Sequence, residues 1–245
     1  MRKRKWLFVS ACLFVAFAAA GRDAVPAARP APDARITRDD VDGVSLAHWT
    51  ERWWQWAYAL PIEPYRDPDG RFCDLGQEGP VWFLAGTDGS FDATRRCILP
   101  ADAHVLVPII NMAHLSTRSR PRGCEQLQRA AAVNNNHLIS AVAILDGKPL
   151  GSVALHRVRS ESCFRIAMNE HDSLLAAADG YWLMLKPLPR GRHTLVIGAN
   201  YGAPDSAHGM MRQNFEYQLD VGGENRFSLS PRRLADDHAR LAARE

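Results

Sequence analysis

The stretch from Cys73 to Cys97, CDLGQEGPVWFLAGTDGSFDATRRC, constrains this chain more than any other. Two cysteines bracket a short apolar run, Val81-Trp82-Phe83-Leu84, with glycine turns on either side. That is the pattern of a β-unit closed by a disulfide, and a lasting disulfide needs an oxidising compartment. Beyond residue 20 the chain holds Cys73, Cys97, Cys124 and Cys163. An even number suggests two bridges, and four cysteines allow three pairings. Cys73–Cys97 with Cys124–Cys163 is favoured because the first pair flanks one continuous unit, while the partners of Cys124 and Cys163 stay open at this level. A loop of the first size stabilises by roughly 3–3.5 kcal/mol in the chain-entropy model. Neither a CxxC step nor a Cys–His signature argues for catalytic thiols.

The start of the chain agrees with export. Arg2, Lys3, Arg4 and Lys5 precede an apolar run from Trp6 to Ala20 that ends in small residues. Residues 1–20 therefore read as a cleavable signal, cut near Ala18 to Ala20 and too short for a stable membrane span. Val9-Ser10-Ala11-Cys12 resembles a lipoprotein box, but too few residues precede Cys12 to form an apolar core. The expected mature chain is periplasmic or extracellular and carries no transmembrane segment. Residues 21–44, rich in Ala, Pro, Arg and Asp, read as a disordered linker. Of the 30 Lys+Arg, four lie in residues 1–20, which hold no acid, leaving 26 against 27 Asp+Glu. The apparent basicity belongs to the signal, so charge gives no support to a nucleic-acid partner.

Ser45 can cap a helix that stops at Pro61. Leu46, Trp49, Trp53, Trp56 and Leu60 recur at spacings of three and four and make one apolar stripe for a sheet to cover. Trp54 and Tyr58 fall outside that stripe and are candidate exposed platforms. Strand signals follow at 80–86, 95–99, 104–110 and 138–145, the last running into the hairpin step Asp146-Gly147. Further strands are expected at 149–156, 181–186, 193–199 and 215–221, and a helix at 125–133 stops at Asn134-Asn135-Asn136. The fold class expected is mainly β: an antiparallel, jelly-roll-like β-sandwich preceded by a Trp-rich N-terminal helix. A single domain over residues 45–230 and a polar tail over 231–245 complete the expected organisation.

A family resemblance runs through these residues. Trp53-Trp54-Gln55-Trp56, Cys73, Gly76-Gln77, the run Gly79 to Thr87, Arg96-Cys97 and Leu99-Pro100-Ala101 resemble exported bacterial proteins of unassigned function. The likeness continues through Pro108, Asp146-Gly147, Asp179-Gly180-Tyr181-Trp182, Pro187-Leu188, Gly191, His193-Thr194 and the run Tyr217 to Val221. It implies a secreted domain with a Cys73–Cys97 bridge and supplies no activity. The chain departs from the pattern at Asp102, where a Gly usually stands. It departs again at Glu161-Ser162-Cys163-Phe164, where the pattern has Ser-Pro-x-Phe.

Several residue sets could carry chemistry. Asp67, Asp69 and Asp74 gather around a Pro-Asp-Gly turn and are the metal candidates, with Ca²⁺ the cofactor such oxygens would take. They lack EF-hand spacing, and an ordinary turn has the same composition, so no cofactor is expected. Asn169-Glu170-His171-Asp172 is a second polar cluster, with the composition of a surface loop. His104, His114, His137, His156, His193 and His208 are scattered without metal-ligand spacing, and neither GxSxG nor SxxK occurs. Glu63, Glu78, Glu125, Asp146 and Asp179 are the acids from which a glycosidase pair could come. The leading functional expectation is non-catalytic recognition of a glycan or envelope polymer by Trp54, Tyr58 and Gln77. The alternatives are a secreted hydrolase or lyase using Glu78, His104 and His193, and a structural subunit of an envelope assembly.

Overall fold

A computed structural model describes residues 33–206 and 208–223. The expected signal and tail, and the first half of the expected linker, lie outside the described residues. In chain order the elements are β1 (Ile36–Thr37), α1 (Leu46–Ala59), β2 (Val81–Phe83), β3 (Ala93–Leu99), β4 (His104–Leu115) and α2 (Cys124–Ala132). They continue with β5 (Leu138–Leu145), β6 (Lys148–Pro149), β7 (Arg157–Arg159), β8 (Phe164–Ala167), β9 (Ser173–Leu185), β10 (Gly191–Gly202) and β11 (Met210–Val221). Among the described residues no helix is long and apolar enough to cross a membrane.

α1 forms where the tryptophan stripe places it. The Ser45 hydroxyl accepts from the His48 amide, and the chain leaves the helix at Leu60 because Pro61 disfavours a helical residue before it. Its Trp49, Trp53 and Trp56 pack with Val81, Phe83, Leu106, Trp182 and Met184, a cluster on one face of the first sheet. That sheet runs β1-β9-β4-β2, with β7 and β8 also paired to β9. On its other face Val105, Val107, Ile109, Leu183 and Leu185 meet Leu195, Ile197, Phe215, Tyr217 and Leu219 of the second sheet. The second sheet runs β3-β11-β10-β5-β6. β9 thus has helix on one side and sheet on the other, which is why Ala176 to Leu185 are all buried.

Two mixed sheets stand where a wholly antiparallel sandwich was expected. β2 runs parallel to β4, and β3 runs parallel to β11. Between β2 and β4 the chain crosses to the second sheet, forms β3 on its edge and returns, so β4 arrives in the direction of β2. Local patterning reveals that a strand exists but not which partner it meets or in which sense.

The expected linker is also corrected over its described part, residues 33–44. β1 pairs with the end of β9, Ile36 opposite Leu185, and Ile36 joins the core between the sheets. Arg35 reaches the carbonyls of Leu145 (3.2 Å) and Pro149 (2.8 Å) in the second sheet. A two-residue strand is too short to show a periodicity. Of the expected strand 149–156 only Pro149 is in a ladder, and Val153–His156 forms a 3₁₀ turn. Both favoured disulfides are formed, Cys73–Cys97 and Cys124–Cys163, with Cα separations of 5.7 and 5.6 Å.

Candidate functional site

Of the three residues expected to bind, Trp54 and Gln77 are engaged within the fold, and Tyr58 is exposed. Trp54 is only 8% exposed, its ring set edge-on to Trp53 at 4.9 Å between centroids. It is a core residue, because the first sheet and the β8 strand wrap more of the helix than one stripe. Gln77 is likewise occupied: its Nε2 donates to the carbonyls of Cys73 (3.0 Å) and Phe83 (2.8 Å), and its Oε1 accepts from the Phe83 amide (2.9 Å). It pins the disulfide loop to β2. Tyr58 stays exposed, with its ring 6.2 Å from Trp54. The groove beside the helix, about 730 Å³, exposes little aromatic face, since Arg52 lies over Trp49 at 4.6 Å.

The catalytic candidates do not converge. Glu78 lies on the rim of that groove. His104 begins β4 opposite Val81, where burial and then Lys186 push its pKa down. His193 belongs to the second sheet, its Nδ1 2.7 Å from Asp146 Oδ2 and its Nε2 2.8 Å from the Pro189 carbonyl. No cavity described here is lined by two of the three.

The aspartates expected to favour Ca²⁺ shape a turn. Asp67 Oδ1 accepts from the amides of Asp69 and Gly70, and Oδ2 accepts from Phe72. Asp69 pairs with Arg71 at 2.5 Å. Gly70 (φ 84°) is required here, since a Cβ would lie 2.7 Å from the Arg96 carbonyl oxygen. Among the described residues, Asp74 included, no three His, Cys, Asp or Glu are placed to hold a metal ion. Behind this turn Arg95 is buried. It donates through Nε to the Asp67 carbonyl and through Nη1 to the carbonyls of Ala85 and Gly86 and to the Tyr217 hydroxyl.

The chemistry-bearing residues that do meet are in a cleft between α2 and the β7–β9 edge. Its volume is about 580 Å³, and Glu125, Gln128, Arg129, Asn136, Arg159 and Asp179 supply the polar groups on its walls. β7 pairs antiparallel with β9 so that Arg159 stands opposite Asp179, and Arg157, two residues earlier, falls on the same side. Arg157 grips the Asp179 carboxylate with both arms, Nε to Oδ1 at 2.9 Å and Nη2 to Oδ2 at 3.0 Å. Arg159 Nε lies 2.7 Å from the same Oδ2. Asn135 Nδ2 adds a 3.3 Å contact to Oδ1 and donates to the Asp179 carbonyl at 2.8 Å. Asn136 Oδ1 accepts from Arg157 at 2.7 Å.

Asp179 side chain is 2% exposed, so its charge is tolerated only because these donors surround it. The other wall is also held. Glu125 pairs with Arg129 one turn along α2, and Gln128 reaches the Ser160 carbonyl. The Cys124–Cys163 bridge ties the first residue of α2 to the loop that follows Ser160.

Sequence reasoning included Glu125 and Asp179 among five scattered acids and took the asparagine run only as a helix stop. It missed Arg157 and Arg159. Their alternation before a Ser was the available signal, but two like charges in a surface strand are common without a buried partner. Compared with protein-family models, curated proteins and solved structures, the chain matches none.

Proposed function

We propose that this protein is an exported recognition module that binds a polar polymer, glycan or envelope-derived, in the α2–β9 cleft without turning it over. The observation that carries the reading is the state of Asp179. Both its oxygens are already occupied by Arg157, Arg159 and Asn135, so it is neither a free base nor a nucleophile. What the cleft offers instead is an array of planar amide and guanidinium groups held in place by one another. Such groups suit paired hydrogen bonds to vicinal hydroxyls, and the volume falls within the range of ligand sites. The α1 groove is the poorer candidate because its tryptophans are turned into the core.

The test is a thermal-shift and calorimetric screen of the oxidised protein against cell-wall and plant polysaccharides. A ligand at a hundred times its dissociation constant raises stability by about 2.7 kcal/mol. Ala132→Trp, which places an indole in the cleft, should abolish that shift, whereas Tyr58→Ala should leave it intact. Loss of binding in Tyr58→Ala alone would move the site back to α1. One observation favours the hydrolase reading: Glu125 and Asp179 line the same cleft. Breakdown of a bound polysaccharide by the wild type, lost in Glu125→Gln, would establish that reading and displace ours.

A further inference from the structure

Arg157 pairs with Asp179 although it does not line the cleft, and once it is counted three guanidiniums stand against two carboxylates. From that excess we infer that the ligand is anionic: a carboxylate-bearing sugar whose acid group docks on Arg159. The inference rests on the recognition reading above and adds its chemical class.

Asp179 is one carboxylate serving two guanidiniums. Arg157 takes the better geometry, a two-point grip, and a further hydrogen bond to Asn136, and its side chain is only 21% exposed. Arg159 has the single Nε contact and a side chain 60% exposed on the cleft wall. Among the described residues no acceptor meets either of its Nη nitrogens. At the rim, Glu125 and Arg129 cancel each other. The excess positive charge of the cleft is therefore localised on Arg159, a guanidinium already positioned by a buried carboxylate. A guanidinium offers a planar fork that matches a carboxylate at two points, and prior positioning reduces the entropy lost on binding. A neutral sugar would use the amides of Gln128 and Asn136 but would leave that charge uncompensated.

The experiment uses matched polymers that differ in charge alone, polygalacturonate and its methyl ester, together with sodium glucuronate, glucose, acetate and sulfate as small probes. Affinities are measured by calorimetry at low and high salt for the wild type, Arg159→Gln and Arg118→Gln. Arg118, whose side chain is 92% exposed and outside the cleft, controls for general surface charge. Circular dichroism and melting curves check that each variant folds.

The expected result is at least about tenfold tighter binding of the acid form, as a charge-assisted bond implies. Arg159→Gln should remove that preference and most of the salt dependence, and Arg118→Gln should keep both. Equal binding of acid and ester, or an unchanged preference in Arg159→Gln, overturns the inference and leaves the recognition reading standing. Acetate or sulfate binding as tightly as glucuronate overturns the sugar assignment. If no polysaccharide binds, charged or neutral, both readings fall.

Discussion

At the scale of single residues, the buried acids carry the sharpest consequences. Asp179→Asn keeps the shape of the cleft floor but leaves Arg157 and Arg159 without their counter-charge. Because both guanidiniums can reach some water, the loss expected is about 3 kcal/mol, the lower end for a broken buried pair. Urea denaturation measures it. Glu51 behaves in the opposite sense. It is 8% exposed on α1, and burial pushes its carboxyl above the ordinary range, with His48 opposing and Glu161 adding to the shift. A raised carboxyl pKa means that the folded state resists losing the proton. The penalty is absent below the unfolded value and develops as pH rises through it. Glu51→Gln should therefore raise the denaturation midpoint at pH 7 and make no difference near pH 3. An equal gain at both pH values would show that the effect is not ionisation. None of this was legible from sequence: Glu51 sits between tryptophans and an arginine as any exposed helix acid would, and it is packing in the folded molecule that buries it.

At the scale of elements, the β5–β6 turn shows how much a local motif can say. Asp146-Gly147 was readable as a hairpin because both residues must take positive φ, and they do, at 52° and 73°. Its second role depends on a residue 47 positions away, which no local pattern contains. Asp146 Oδ1 accepts from the Thr194 amide while Oδ2 meets His193, tying the turn to β10. Burial opposes the His193 charge, but the contacts with Asp146 and the Pro189 carbonyl outweigh it and hold its pKa up. Burial likewise opposes ionisation of Asp146, and the bonds to His193 and Thr194 overcome it and hold its pKa down. The histidine contribution is complete below its unfolded pKa and fades as pH rises through the folded one. The aspartate contribution is complete above its unfolded pKa and fades as pH falls. The pair therefore helps most between about pH 4 and about pH 6.5. The stability difference between wild type and His193→Gln should be largest near pH 5.5 and shrink by pH 9, in a denaturation series across pH. The α1 stripe was equally legible, since its spacing is local. The direction of β2 and β3 was not, because it is decided by which sheet the chain has just left.

At the scale of the whole molecule, the two disulfides do different work. Cys73–Cys97 closes a loop over buried Arg95, whereas Cys124–Cys163 joins the two walls of the cleft. Replacing Cys124 and Cys163 together with Ala should cost about 4 kcal/mol in the chain-entropy model. It should also weaken ligand binding while the second sheet stays intact. Amide exchange would show protection lost in α2 and in residues 159–163 but kept in β10 and β11. Uniform loss everywhere would mean that the bridge supports the fold generally. The pairing was readable as a favoured option from sequence, but its position across the cleft was not.

The parallel seam between β3 and β11 has a further consequence, for the order in which the chain can fold as it emerges. β3 passes early, yet its ladder partner is the last described strand, and the Tyr217 hydroxyl that meets Arg95 arrives with it. Until then the Arg95 guanidinium lacks that hydroxyl, and the edge of β10 that β11 will occupy is open. Closure over so long a stretch of sequence is slow. A growing chain therefore waits, unfinished and aggregation-prone, for β11, and a chaperone that delays collapse until residue 221 is through should raise the yield of native protein.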